Sequence, residues 1–448
     1  MKAWSARDVA AAAGARLLAG ADAEEGPHRV VVDSRVLGPG DLFVGLAGAN
    51  TDGGRFAQDA LAAGAWGVLA ASEHVERIRE PGAAVLLACA DPLSALGRLA
   101  REWRRELRAR VVAITGSTGK TSTKDILAAL LAPSFATVAS PRNQNTEIGL
   151  PLAILDAPAG TQALVLELAM RGAGQIAELT SICEPDVGVV VNVGPAHLEL
   201  LGSLEAIAAA KGELLDGLAS GATAVLPAGE PLLEPFLRED LEIVRFGEGG
   251  EVTVLETGAQ GVLVALGEQR VLLEPGFRAA HLLVDLCAAL AAARALGVAV
   301  SAGALEVEFS GLRGERLSLP AGVVVINDCY NANPMSMRAA LDELAKTAAG
   351  RRVAVLGDML ELGARDEERY HRELGEQARV AGVALLVTVG LRAAWAGESF
   401  GAGEHLHAPD AAAAAELVRA RLQAGDTVLV KGSRGVALER VAEALAGR

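Results

Sequence analysis

A run of apolar residues, Val111 to Ile114, passes directly into Thr115-Gly116-Ser117-Thr118-Gly119-Lys120-Thr121, and a helical segment follows from Thr121 to Leu131. A strand that feeds a helix through a short Gly-rich turn belongs in a parallel sheet, because the chain must cross back over the helix to reach its next strand. The same unit dictates a ligand. Backbone N–H groups at the start of a helix can surround a phosphate chain, and the glycines permit close approach. Lys120 can then reach the β- and γ-phosphates, and the Thr121 hydroxyl can ligate Mg²⁺. The loop is a shortened variant, Thr-Gly-x-x-Gly-Lys-Thr, and Ile114 or Thr115 stands where the longer pattern carries its first glycine. A nucleoside triphosphate site is expected.

At 448 residues the chain has room for two to four domains. No stretch of about 18 uncharged apolar residues suggests a membrane span. The N-terminus, Met1 to Asp8, lacks a signal-peptide core, so a cytoplasmic protein is expected. Cys89, Cys183, Cys287 and Cys329 are scattered without C-x-x-C spacing and are expected to be buried free thiols. The net charge of −15 argues against nucleic-acid binding and would repel an anionic substrate, so such a substrate needs locally concentrated cations. Lysine is scarce. Lys2, Lys120, Lys124, Lys211, Lys346 and Lys431 are all there are, which makes Lys120, Lys211 and Lys431 candidates for chemistry that needs an amine.

The pattern divides into three blocks. The first, 1–83, is a small α/β unit lying wholly before the phosphate loop, with a helix over Ser5 to Gly14 and strands over Arg29 to Asp33, Leu42 to Leu46 and Gly67 to Ala71. The second, 84–312, alternates strand and helix as a parallel sheet does, with apolar strands at Val111–Thr115, Ala163–Glu167 and Val187–Asn192. From Ala222 to Leu273 short strands between Gly turns suggest an antiparallel addition. The third, 313–448, alternates again and predicts a second doubly wound sheet. The fold class expected is α/β, with a central P-loop sheet and a Rossmann-like C-terminal sheet.

Ligands gather at the carboxyl ends of parallel strands. Thr121, Glu167 and His197 all fall there, and Lys211 follows on a helix that Ser203 can cap. A buried carboxylate ending an apolar strand costs several kcal/mol unless it is paired. A Mg²⁺ ion would pair Glu167, and His197 joins it as a candidate ligand.

Several long motifs now accumulate: the short phosphate loop, Asn145-Thr146-Glu147-Ile148-Gly149-Leu150-Pro151, Glu167, Asn192-Val193-Gly194-Pro195-Ala196-His197-Leu198, Ala210-Lys211-Gly212-Glu213 and Asp328. Together they resemble the Mur ligases, ATP-dependent amide-forming enzymes of peptidoglycan precursor synthesis, over essentially the whole chain. Tyr330-Asn331-Ala332-Asn333-Pro334 and Leu356 to Gly363 resemble the branch that adds D-alanyl-D-alanine to UDP-N-acetylmuramoyl-tripeptide.

The resemblance implies roles. Thr115, Gly116, Ser117, Thr118, Gly119, Lys120 and Thr121 would hold ATP, with Asn143, Asn145, His281, Arg316 and Asp328 beside it. Two Mg²⁺ ions would sit on Thr121, Glu167, His197 and Lys211, the lysine being carbamylated. Lys120, Glu167, His197 and Lys211 are the implied catalytic set. Ser34, Arg35, Phe43, Asp52 and Gly53 would bind the UDP-substrate, and Tyr330, Asn331, Asn333 and Asp358 would hold the dipeptide. The chain departs from the family at His281-Leu282-Leu283-Val284-Asp285, where relatives show His-Asn-x-x-Asn, and at Arg142 to Thr146.

The reading is a three-domain, cytoplasmic, monomeric ligase. Another Mur-type or folylpolyglutamate-type ligase would share the ATP site, a P-loop kinase would need no amine, and a nucleotide switch would have no use for Glu167, His197 and Lys211.

Overall fold

The computed structural model describes residues 1, 3–141, 144–401 and 403–447. Three sheets follow one another along the chain, with five, ten and six strands.

In the first sheet, Val30–Val31, Leu42–Gly45, Gly67–Ala71 and Val85–Cys89 pair in parallel, and Arg16–Ala19 closes the edge antiparallel to Val85–Cys89. The expected boundary after residue 83 is therefore corrected: Val85–Cys89 is a strand of the first sheet. It is apolar and buried throughout, like the parallel strands of the next block, and such a run has no period that reveals which sheet it joins. The helix Pro92–Leu107, capped by Asp91, then leads into the central sheet.

The central sheet is built around Arg110–Thr115, flanked by Ala163–Glu167 on one side and Val187–Val190 on the other. Thr223–Pro227, Glu242–Phe246 and Val252–Gly258 continue it in parallel, and Gly261–Leu266 runs antiparallel to its neighbours Val252–Gly258 and Gln269–Pro275. The addition expected from Ala222 onward is thus partly parallel and continuous with the main sheet. The helices Lys120–Leu131 and Ala280–Ala295 cover one face, packing Ile126, Leu127 and Leu131 with Leu286 and Leu290 against Val112, Ile114 and Val189. The chain leaves Arg110–Thr115 toward one edge and Val187–Val190 toward the other, so the crevice between their carboxyl ends is the switch point of the sheet.

In the third sheet, Val324–Asn327, Thr427–Lys431, Arg352–Gly357, Leu385–Val389 and Glu404–Ala408 are parallel, and Glu315–Ser318 pairs antiparallel at the edge. All four cysteines are buried and free. Among the described residues no helix is long and apolar enough to cross a membrane.

Candidate active site

The phosphate loop is held from across the switch point. The Ser117 and Thr118 N–H groups donate to Asn192 Oδ1 at 3.1 and 3.0 Å, Asn192 Nδ2 donates back to Thr118 Oγ1 at 2.9 Å, and Ser117 Oγ donates to the Gly194 carbonyl at 2.9 Å. Gly119 has φ +77°, and a Cβ there would lie 2.3 Å from Asp285 Oδ1, so only glycine fits. Lys120 donates to the Gly116 carbonyl at 2.7 Å, folding its ammonium back over the loop. Burial lowers the Lys120 pKa, the Glu167 carboxylate opposes this, and the Arg313 charge adds to the lowering. Thr115 Oγ1 is buried with no hydrogen-bond partner among the described residues, an orphaned polar atom at the start of the loop.

Beyond the loop, Glu167 is buried and fully engaged. Thr121 Oγ1 donates to its Oε2 at 2.7 Å and Asn145 Nδ2 to its Oε1 at 2.9 Å, while its own N–H donates to Ser140 Oγ at 3.1 Å. Lys211 lies on the helix Leu204–Asp216, whose N-terminus Ser203 caps by accepting the Ala206 N–H at 3.2 Å. Its side chain is 1% exposed and its ammonium has no hydrogen bond or ion pair among the described residues. Burial, helped by the nearby Lys120 charge, pushes this amine well below the ordinary lysine range. His197 occupies a left-handed position, φ +60°, at the start of the short helix Leu198–Leu201. Its Nδ1 meets the Glu361 carboxylate of the third block. Burial holds its pKa below the usual histidine value, against the pull of Glu361.

The third block closes over this floor at several points. Asn333 Nδ2 donates to the Ser117 carbonyl at 3.4 Å, and the Glu199 N–H donates to the Glu361 carbonyl at 3.1 Å. The Met335 thioether occupies the space a side chain at Gly194 would need. Lys431, buried at the carboxyl end of its strand, pairs with Asp328 Oδ2 at 2.7 Å and donates to the Asn331 carbonyl at 3.0 Å.

Profiles of three domains match this chain: the Mur ligase family catalytic domain over residues 27–104, the Mur ligase middle domain over 114–293, and the Mur ligase glutamate ligase domain over 312–434. The UDP-N-acetylmuramoyl-tripeptide--D-alanyl-D-alanine ligase of Bacillus subtilis is 33% identical over 436 residues, covering 93% of both chains. This chain belongs to the Mur ligase family. The enzyme of the same name from Mycobacterium tuberculosis (strain ATCC 25618 / H37Rv) is 37% identical, with 96% of both chains covered. Among solved structures, MurF from Acinetobacter baumannii superimposes with a TM-score of 0.87 at 28% identity, covering 99% of each chain. MurF from Thermotoga maritima in complex with ADP gives 0.82 at 32% identity, covering 94% of this chain and 97% of that one.

In this Mur ligase the sequence-derived residues separate into those that meet and those that do not. Lys120, Thr121, Asn145, Glu167, His197 and Lys211 lie around one floor, while Asn143 falls outside the described residues. Arg316 is engaged within the third block, donating to Thr347 Oγ1 at 2.9 Å and pairing with Glu343, both on the helix Pro334–Thr347. Asp358 also points inward, because its Oδ1 accepts the Ala393 N–H at 2.7 Å and it packs on Gly390. Phe43 is fully buried in the core of the first block, so its side chain has no face for a substrate.

Arg35 is exposed and grips Asp33 through two parallel contacts of 2.8 and 2.7 Å, with Ser34 between them. Asp52 accepts the Gly54 N–H at 2.9 Å and meets His74 Nε2 at 2.7 Å, and Gly53 donates to the Leu46 carbonyl at 2.8 Å. Asn333 caps its helix reciprocally with Ser336 ahead of Pro334 at the first helical position, which explains most of the Asn-Pro-x-Ser pattern as helix capping. Asn331 is exposed and accepts the Ala332 N–H at 2.8 Å, and His281 is exposed at the start of Ala280–Ala295.

Sequence reasoning gave no role to Asn192, Glu361, Asp285 or Arg313. Asn192 stood inside a quoted motif two residues past an apolar strand, and that strand-end position was its available signal. The other three reach the site only through the packing of distant segments.

Proposed function

We propose that this Mur ligase joins D-alanyl-D-alanine to UDP-N-acetylmuramoyl-tripeptide at the expense of ATP, releasing ADP and phosphate in the cytoplasm. One observation carries the reading: a phosphate loop whose Thr121 touches the buried Glu167, beside an uncompensated buried Lys211, under a third block seated on that loop and on His197. The relatives that match almost end to end share this activity by name.

The donor set fits magnesium. A hydroxyl and a carboxylate already in contact are hard oxygen ligands of the kind that this ion takes. Thr121, Glu167, His197 and Lys211 would hold two Mg²⁺ ions, which when bound neutralise the triphosphate and the transferring phosphoryl group. Lys211 fits a carbamate. Burial that lowers the pKa of this amine favours the neutral form that is nucleophilic toward CO₂, and a carbamate there would offer an anionic oxygen donor in place of an ammonium.

The terminal carboxylate of the tripeptide attacks the γ-phosphorus. A carboxyl O–P bond forms, the bond to the β,γ-bridging oxygen breaks, and ADP leaves. The dipeptide amine then attacks the acyl carbon of the acyl phosphate, loses a proton, and phosphate departs with the C–O bond pair. The chain's part is positioning and charge. Lys120 and the loop amides orient the triphosphate, and the first block offers Arg35 to the UDP moiety. Seating of the third block keeps water from the acyl phosphate. The protein acts as a monomer on small-molecule substrates.

Turnover with tripeptide carrying heavy oxygen in its terminal carboxylate tests the route. The reading expects one labelled oxygen in the released phosphate and a pentapeptide product by mass. Unlabelled phosphate alongside an amide product would rule out the acyl phosphate.

A further inference from the structure

Of the lysines singled out for amine chemistry, Lys431 is the one that the reaction above does not use. The strand it ends, Thr427–Lys431, lies between Val324–Asn327 and Arg352–Gly357 in the third sheet. Each neighbour runs on into a turn, 328–333 on one side and 358–360 on the other. Lys431 leaves the sheet between these turns, which carry Tyr330, Asn331, Asn333 and Asp358, the residues expected at the dipeptide.

Both turns are tied to the end of this one strand. Lys431 is 2% exposed, and its ammonium pairs with Asp328 Oδ2 at 2.7 Å. It also donates to the Asn331 carbonyl at 3.0 Å and the Asp328 carbonyl at 3.4 Å. An ammonium has three N–H groups, and these three oxygens occupy them, so Lys431 has none left for a substrate. Two residues on, the Ser433 N–H donates to the Asp358 carbonyl at 3.0 Å. Ser433 Oγ accepts the Leu360 N–H at 2.9 Å and donates to the Ala332 carbonyl at 3.4 Å. Gly432 permits the approach, because a Cβ there would lie 3.2 Å from the Gly357 Cα. At the far end of the first turn Asn333 touches the Ser117 carbonyl, so the same turn sets how the third block meets the phosphate loop.

We propose that Lys431 is a positioning residue for the amine substrate: with Ser433 it joins the 328–333 and 358–360 turns into one surface that holds D-alanyl-D-alanine. This rests on the ligase reading above for the identity of the amine. Desolvation offsets much of the attraction in a buried ion pair, so the use of this one is to select a single arrangement of the turns.

The test compares the parent, Lys431→Met and Ser433→Ala as full chains with Mg²⁺. It reads kcat and KM for D-alanyl-D-alanine, and the affinity for ADP alone. Lys431→Met loses hydrogen bonds from a charged donor and is expected to raise the dipeptide KM at least about tenfold. Its ADP affinity should stay within about threefold of the parent, because the phosphate loop, which Lys431 does not touch, carries the nucleotide. Ser433→Ala, which removes one hydroxyl, should raise the dipeptide KM by about threefold or more. A lysine that only stabilised the fold would lower the amount of active enzyme and leave the dipeptide KM where it was. An unchanged dipeptide KM in Lys431→Met, or an equal loss of ADP affinity, would overturn the assignment. Should Lys431→Met fail to fold, an unchanged dipeptide KM in Ser433→Ala overturns it instead. A parent that does not ligate sinks the functional reading, and hydrogen exchange over residues 328–333 then decides Lys431 alone. Exchange at least about tenfold faster in Lys431→Met supports the joined turns, and an unchanged rate refutes them.

Discussion

At the scale of single residues, the chemistry depends on groups kept in uncomfortable states. Lys211 is an amine whose pKa burial pushes well below the ordinary lysine range, with no carboxylate paired to it among the described residues. Activity should therefore fall when CO₂ and bicarbonate are removed from the buffer and return when bicarbonate is added back. Lys211→Arg, which cannot form a carbamate, should be inactive and indifferent to bicarbonate. Equal rates of the parent in depleted and replenished buffer would refute this. Gly119 is a second such residue, because its positive φ and its contact with Asp285 exclude any side chain. Gly119→Ala should destabilise the fold by more than about 1 kcal/mol and weaken ATP at least about tenfold, measured by denaturant midpoint and by nucleotide titration. The loop lysine, the hydroxyl and the strand-end glutamate were legible in the sequence because the backbone fixes their direction.

At the scale of elements, buried apolar strands with sharp ends were read to the residue: Gly67–Ala71 and Ala163–Glu167 coincide with their expected spans. Glu404–Ala408 went unread, because an edge strand spelled Glu-His-Leu-His-Ala carries too little apolar signal to mark it. The helix Glu367–Val380 is pinned to the Asp358–Met359 turn by His371. Its Nε2 accepts the Met359 N–H at 2.9 Å, which leaves Nδ1–H to donate to the Glu367 carbonyl at 2.7 Å. Burial holds its pKa down, although the Glu367 carbonyl, Asp358 and the Glu367 charge pull it up. A base depressed in the folded state takes its proton first in the unfolded chain. Its contribution is complete above about pH 6.5 and is lost as the pH falls from there toward the folded value. The denaturant midpoint of the parent should drop between pH 8 and pH 5.5, and the gap to His371→Gln should narrow on the way down. A gap that widened on acidification would show that the folded state favours the charged ring.

At the scale of the whole molecule, three sheets were legible as three blocks, but the seating of the third on the second was not. The contacts that make it, His197 with Glu361 and Asn333 with Ser117, join residues far apart in sequence with no shared pattern. The seating should couple hydrolysis to ligation. Glu361→Ala is expected to lower ligation while raising the share of ATP hydrolysed without product, read as the ratio of phosphate to amide. An unchanged ratio would mean that closure does not protect the acyl phosphate. The most direct test of the account is phosphate release with ATP, Mg²⁺ and UDP-N-acetylmuramoyl-tripeptide, with and without D-alanyl-D-alanine. The account predicts release that depends strictly on the dipeptide and matches it mole for mole with a pentapeptide. Release indifferent to the dipeptide, with no amide formed, would contradict it.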